Sequence, residues 1–313
     1  MAGGVVVLCG GVGAARFLEG VVRSVDASTV TAIVNVADDA EFHGLHVSPD
    51  IDTVLYTLAG IVDHAQGWGV ESDTHEVQEA LERLGREVWF RLGDRDLATH
   101  IHRTALLREG VALSEITARL ARSLGVRTRV LPATDGRQAT MVNTDGGWLA
   151  FQDYFVRRRQ QDTVRAVRFD GAIDPAPGVI DAIAGARVVV LAPSNPIVSI
   201  GPILALRDVR AALARTPAPV IAVSPIVGGE AIKGPAAAML ASLGHEVSPV
   251  GLARLYADFL DVLVIDERDA ALADRVGEAG PRPLIAQTIM SDLGAKTRLA
   301  EIAITAAEAP AGG

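Results

Sequence analysis

The chain has 313 residues, 49% of them hydrophobic, and a formal net charge of −9. That length and apolar fraction supply a sizeable buried core, while the acidic balance excludes the broadly basic surface that a nucleic-acid or anionic-membrane binder needs. No apolar run approaches the roughly 18 residues of a membrane helix. The opening "MAGGVVVLCGG" lacks a basic segment and breaks at glycines, so it does not read as a signal peptide. The lone cysteine, Cys9, has no intramolecular partner and reads as a core thiol in a reducing compartment. The expectation is a soluble, cytoplasmic protein.

In chain order, "VVVLC" (5–9) predicts a first strand, and "AARFLEGVVRSV" a helix beginning near Ala14. Between them, Gly10, Gly11 and Gly13 let backbone amides approach an anion, and the helix start adds free N–H groups and the positive end of its dipole. This is a candidate phosphate site. It is not the dinucleotide fingerprint, because counting from Gly11 the third glycine position is Arg16, and the Walker pattern is also missing.

The second strand, "VTAIVNV" (30–36), runs into the acidic stretch "ADDAEFHGLHVSPDID". Asp50 and Asp52 fall in the first turn of a predicted helix, where either alone is explained as a helix-start carboxylate. Acidic clusters on the same sheet rim as a phosphate site would repel the ligand unless a cation intervenes. A hard divalent ion with oxygen ligands, Mg²⁺ most simply, resolves that conflict. His43 and His46 lack a third soft ligand, which disfavours zinc.

From about Leu58 to Gly171 the pattern changes to helices ("THEVQEALERLG", "RDLATHIHRTALLREG", "LSEITARLARSLG") and a hairpin, "QATMVNTDGGWLAFQDYFV", reversing at "NTDGG". This predicts an α+β insertion, 58–171, within a single domain whose core is 1–57 and 172–313. "RRRQQD" (157–162) reads as a solvated charge run. Beyond it, "RVVVLAP" (187–193), "PVIAVSP" (219–225), "DVLVID" (261–266) and "PLIAQTIM" (283–290) are further strands, separated by helical patterns such as "GPILALRDVRAALAR" and "SDLGAKTRLAEIAITAAE". Continuous rather than alternating hydrophobicity fits strands covered on both faces. The α/β alternation predicts a doubly wound, mainly parallel sheet with ligands at its carboxyl ends. Two loops there, "PSNPIVSIGPIL" (193–204) and "SPIVGGEAIKGPAAAM" (224–239), add small polar residues, amides and Lys233, one of only two lysines. With the glycine turn they imply an extended, multi-phosphate or nucleotide ligand.

"CGGVGAARFLEG", "NVADD", "SPDIDTVLYTLAG", "LGDRDLATHIHRT", "FQDYFV", "SNPIVSIGPIL", "SPIVGG…KGP" and "DFLDVLVIDERD", in that order over nearly the whole chain, resemble the 2-phospho-L-lactate transferase family (CofD in archaea, FbiA in actinobacteria). The resemblance implies a Rossmann-like three-layer fold, a divalent metal and a homodimer. It also implies a transferase of coenzyme F-420 biosynthesis, which moves a phosphoenolpyruvyl or 2-phospho-L-lactyl unit from a guanosine diphosphate donor to the deazaflavin FO and releases GMP. Carried over by motif, Asp38 and Asp50 would hold Mg²⁺, and Asp52 and Arg95 would contact FO. Gly11, Gly13, Ser194, Asn195 and Ser199 would cradle the guanosine diphosphate moiety. Asp50 or Asp52 would accept the proton of the attacking hydroxyl. Ala14 stands where the family often has glycine, and "ATDGRQATMVNT" departs from a more acidic family segment, leaving the role of Asp135 open. Without the resemblance, Arg95 reads equally as an ion-pair partner of Asp94 or Asp96.

The rivals are a nucleotide-sugar-binding regulator of the YvcK type and an NAD-dependent dehydrogenase. The first shares the "VADD" segment but typically follows it with "GGSSG" where this chain has "AEFHG"; the second is disfavoured by Arg16 and the acidic loop. The arginine-rich, lysine-poor composition suits an actinobacterial-like host and with it the enolpyruvyl donor.

Overall fold

In the computed structural model, which describes residues 3–231 and 234–306, the apolar runs become the centre of one sheet. The strands in chain order are β1 (Val5–Cys9), β2 (Val30–Val34), β3 (Ala40–Phe42), β4 (Leu45–Val47), β5 (Arg129–Pro132), β6 (Gln138–Thr144), β7 (Gly147–Ala150), β8 (Val164–Gly171), β9 (Val188–Leu191), β10 (Val220–Val223), β11 (Ile226–Val227), β12 (Glu230–Ala231), β13 (Val262–Asp266) and β14 (Arg282–Ala286). The helices are α1 (Gly11–Ser24), α2 (Pro49–Ala59), α3 (Glu76–Arg83), α4 (Asp94–Arg108), α5 (Leu113–Ser123), α6 (Val179–Ala184), α7 (Gly201–Leu204), α8 (Val209–Arg215), α9 (Ala236–Ser242), α10 (Pro249–Tyr256), α11 (Ala273–Glu278) and α12 (Leu293–Thr305).

Seven strands pair in the order β14-β13-β10-β9-β1-β2-β5, every pair parallel. The order reverses direction at β1, so the loops after β1, β2 and β9 meet at the switch point where such sheets take ligands. Because the strands are covered on both faces, their burial is unbroken; β1, β9, β10 and β13 are buried at every residue. One face packs α1, α2, α5 and α12 around Phe17, Leu18, Ile51 and Leu299, and the other packs α6 to α11 around Ile183, Ile203, Leu240 and Leu252. This is the three-layer α/β arrangement expected.

Residues 58–171 are more than a cap. β5, a run of only four residues closed by Pro132, completes the sheet edge beside β2, and Ile116 and Leu120 of α5 enter the main core. Within 58–171, β6, β7 and β8 form a separate antiparallel sheet, in which the expected hairpin pairs Asn143 with Trp148. The predicted helix over "GPILALRDVRAALAR" divides into α7 and α8 because Asp208 takes a left-handed φ of 62°. Residues 249–256, which carry no prediction, form α10 behind a Ser248 cap that accepts from the Gly251 amide. No described helix is long and apolar enough to cross a membrane.

Candidate active site

α1 starts at Gly11, three residues earlier than the apolar pattern implies, so Gly11 and Gly13 lie inside its first turn and Gly10 caps it. Each glycine is there for space or conformation. Gly11 has φ +74°, and a Cβ on Gly13 would stand 2.6 Å from the Pro193 carbonyl. A Cβ on Gly10 would meet Asp50 Oδ2 at 2.8 Å, the Ser199 Cβ at 2.9 Å and the Asn35 Cβ at 3.1 Å. Gly10 is thus the point where the loops after β1, β2 and β9 close on one another. Arg16, the residue that breaks the dinucleotide fingerprint, reaches the Met290 carbonyl, and the close helix contact is made instead by Gly20 against the Lys296 backbone of α12.

Beside Gly10 the structure brings Asp38 and Asp50 together. Asn35, wholly buried, donates its amide to Asp38 Oδ2 (3.2 Å) and to Asp50 Oδ2 (2.9 Å), while its own Oδ1 accepts from the Ala37 N–H. Asp50 Oδ1 accepts from the Gly11 N–H at 2.8 Å. Burial raises both carboxyls. Asp50 is pushed up to about 6 despite the Asn35 and Gly11 donors, and Asp38 well above the usual carboxylate range, first by burial and then by the Asp50 charge. Asp38 Oδ1 is buried without a hydrogen-bond partner. Two desolvated carboxylates sharing one neutral donor, with one oxygen left over, are a donor set short of positive charge. They fit a hard divalent cation.

Asp52, one helical step on, has different surroundings. Both its oxygens are taken by Arg103 of α4, Oδ2 by Nη1 at 3.1 Å and Oδ1 by Nη2, and Arg103 is fully buried. His100 lies between Asp52 (3.6 Å) and Asp96 (3.3 Å), and Tyr56 donates to Asp96 Oδ1 at 2.7 Å. Asp52, Asp96 and His100 stand close enough to hold an ion, but the guanidinium already supplies the positive charge. Asp39, held by His46 Nε2 (2.9 Å) and the Ser48 hydroxyl (2.7 Å), ties the acidic loop to the start of α2, which gives His46 a structural task.

On the opposite side, Asn195 caps a π-helical turn, Pro196–Ile200, by accepting from Ile197 and Val198 N–H. Ser199 sits buried against Gly10, and the Ser194 hydroxyl is buried with no partner. The loop after β10 is less free than its glycines imply, since Gly228 gives its N–H to Asp269 (3.0 Å). Lys233 lies outside the described residues. Arg95 is exposed at the start of α4; its backbone N–H goes to Asp73 (2.9 Å) and its guanidinium reaches toward the Glu71 carbonyl (3.4 Å), not to Asp94 or Asp96. Its chain neighbours Gly93 and Asp96 help line a small cleft of about 80 Å³ with Trp68 and His75, which Arg95 itself does not line. Asp135, whose role the sequence leaves open, ties down the start of α5 by accepting from the Ser114 N–H and hydroxyl.

Sequence reasoning gave no role to Asn35 or Arg103, and it gave Gly10 only a place in the glycine turn, not its contact with Asn35, Asp50 and Ser199. Asn35 had a signal, an amide closing an apolar strand three residues before two aspartates. Arg103 had none, because a helical arginine reads as solvated until its burial is seen.

Residues 5–302 match the family described as 2-phospho-L-lactate transferase CofD. The chain is 42% identical over 298 residues to the 2-phospho-L-lactate transferase of Methanothermobacter thermautotrophicus, covering 95% of this chain and 96% of that one. It is also 42% identical over 312 residues to the phosphoenolpyruvate transferase of Streptomyces griseus, covering 97% and 98%. In fold it is similar to a UPF0052 family protein from Bacillus halodurans, with a TM-score of 0.65 and 16% identity over 97% of this chain and all of that one. With this match along nearly its full length, the chain belongs to the 2-phospho-L-lactate transferase CofD family, a family of transferases.

Proposed function

We propose that the protein transfers a phosphoenolpyruvyl or 2-phospho-L-lactyl unit from a guanosine diphosphate donor to the terminal hydroxyl of the deazaflavin FO, with release of GMP. The observation that carries this reading is the Asp38–Asn35–Asp50 group set against the glycine turn at the sheet's switch point, with a carboxylate oxygen left unpartnered. Asp38 and Asp50 would hold Mg²⁺, which when bound neutralises charge on the transferring phosphate oxygens.

The amides at the start of α1 and the Ser194, Asn195 and Ser199 segment bind and orient the diphosphate, so that the donor phosphorus distal to guanosine faces the acceptor. Attack forms the new oxygen–phosphorus bond, the diphosphate bridge breaks, and GMP departs with the bridging oxygen. The hydroxyl proton passes to a carboxylate on this rim. Asp50 and Asp52 are the two candidates, and both oxygens of Asp52 are already committed to Arg103. Asp52 then serves the acceptor side by fixing α2 and α4, and Arg95, exposed at the start of α4, would meet FO by exchanging its long contact with the Glu71 carbonyl. A cytoplasmic homodimer fits this reading.

Thermal denaturation with GDP, FO, UDP-N-acetylglucosamine or NAD, each with and without Mg²⁺, tests it, because the true ligand stabilises by mass action. Stabilisation by GDP that grows with Mg²⁺, and by FO, is the expected result. Selective stabilisation by UDP-N-acetylglucosamine would favour the regulator, and by NAD the dehydrogenase. Mass spectrometry of the product from FO with each donor then assigns the transferred unit, the two products differing by two hydrogens. Equal identity to a phospholactate and a phosphoenolpyruvate transferase leaves that choice to experiment.

A further inference from the structure

The carboxyl that is short of partners, Asp38, is approached by residues of 58–171 as well as by the sheet core. The Thr140 N–H of β6 donates to the Ala37 carbonyl at 2.8 Å, and the Gln152 side-chain amide donates to the Asp38 carbonyl at 3.0 Å, so the acidic loop is gripped on both sides of Asp38. Thr140 is 1% exposed, and its hydroxyl has no hydrogen-bond partner of good geometry; neither has Asp38 Oδ1. The Thr140–Ala37 bond brings the hydroxyl to within one residue of Asp38 along the acidic loop. A buried hydroxyl and a buried carboxylate oxygen, both unpaired and adjacent, cost stability unless something is to be held between or beside them.

We propose that Thr140 is a positioning residue of the cation and phosphate site: its hydroxyl turns onto Asp38, fixes which carboxylate oxygen faces the ligand, and makes the antiparallel sheet of β6, β7 and β8 part of the site. Thr140 does not touch the reacting atoms. It acts through Asp38, as groups behind a ligating carboxylate do, and removing such a partner costs about tenfold or more in ion affinity. The inference rests on Asp38 being a cation ligand.

Mg²⁺ titration of the whole protein in the presence of GDP, followed by calorimetry, tests this without reference to turnover. Thr140→Val keeps the shape and deletes the hydroxyl, Thr140→Ser restores it, and Thr140→Ala replaces valine should the branched variant not fold. The expected result is a half-saturating Mg²⁺ concentration raised about tenfold in Thr140→Val and within about twofold of the parent in Thr140→Ser. The melting temperature of the metal-free variants stays the same or rises. Parent-like Mg²⁺ affinity in Thr140→Val overturns the role of Thr140 while leaving the cation reading intact. An equal loss in the serine variant overturns it too, since that loss would come from packing. A parent protein that takes up no Mg²⁺ overturns the cation reading itself and this inference with it.

Discussion

Asp50 and Asp52 lie two residues apart in the first turn of α2, and the fold gives them opposite electrostatic environments. Asp52 meets a full counter-charge: a buried guanidinium takes both oxygens, with His100, Asp96 and Tyr56 gathered around it. Asp50 meets only neutral donors, one side-chain amide and one backbone N–H, and shares the amide with Asp38. Buried charge is tolerated where it is paired and drives the pKa up where it is not. The first arrangement serves architecture, joining α2 to α4, and the second is an open valence at the ligand end of the sheet.

Five experiments break or sharpen that contrast. Asp50→Asn keeps an acceptor for Gly11 but removes the charge. Turnover should fall roughly a thousandfold even at saturating Mg²⁺ while the metal-free protein unfolds no more easily, and normal turnover would sink the cation assignment. Arg103→Met should do the reverse, stranding the buried Asp52 charge and lowering the unfolding free energy by about 3–5 kcal/mol in urea titrations. Most of that loss should return in the Arg103→Met, Asp52→Leu double variant; if the single variant is as stable as the parent, the network is not structural.

Asn35→Ala removes the donor shared by Asp38 and Asp50. Mg²⁺ affinity should drop about tenfold, and unchanged affinity would mean that the two carboxyls do not act as a pair. The pH dependence comes next. Asp50 has its folded pKa raised to about 6, so its contribution to metal-free stability is greatest below the ordinary carboxylate range and is lost as pH rises through about 6. Cation binding, which needs the ionised form, should run oppositely, weakening as pH falls below about 6 and levelling off above it. A Mg²⁺ affinity flat from pH 5 to 7 on the order-of-magnitude scale of such titrations would contradict the raised pKa. The smallest effect belongs to Ser194→Ala. Its buried hydroxyl has no partner within the chain, so GDP affinity should weaken about fivefold at unchanged stability, and unaltered binding would remove Ser194 from the nucleotide contacts.

How far the sequence was legible depended on whether a residue's role is local. Glycines after a strand, continuous apolar runs and carboxylates at a helix start are local patterns, and they placed the sheet, the glycine turn and the acidic loop on one rim. What escaped was set by partners distant in sequence. β5 is too short to announce itself and joins the sheet only because β2 offers an edge. Gly10 matters through contacts with Asn35, Asp50 and Ser199. By local pattern Asp50 and Asp52 are both helix-start carboxylates, and Arg103, some fifty positions on, makes their surroundings different.

The sequence by itself therefore determined the fold class and the family, because burial periodicity and ordered motifs are written in consecutive residues. The tertiary structure alone decided which carboxylates are paired and which are left short of charge. Desolvation and Coulomb interactions depend on distances across the fold, and only the closed chain brings Asn35, Asp38 and Asp50 to Gly10 and Arg103 to Asp52.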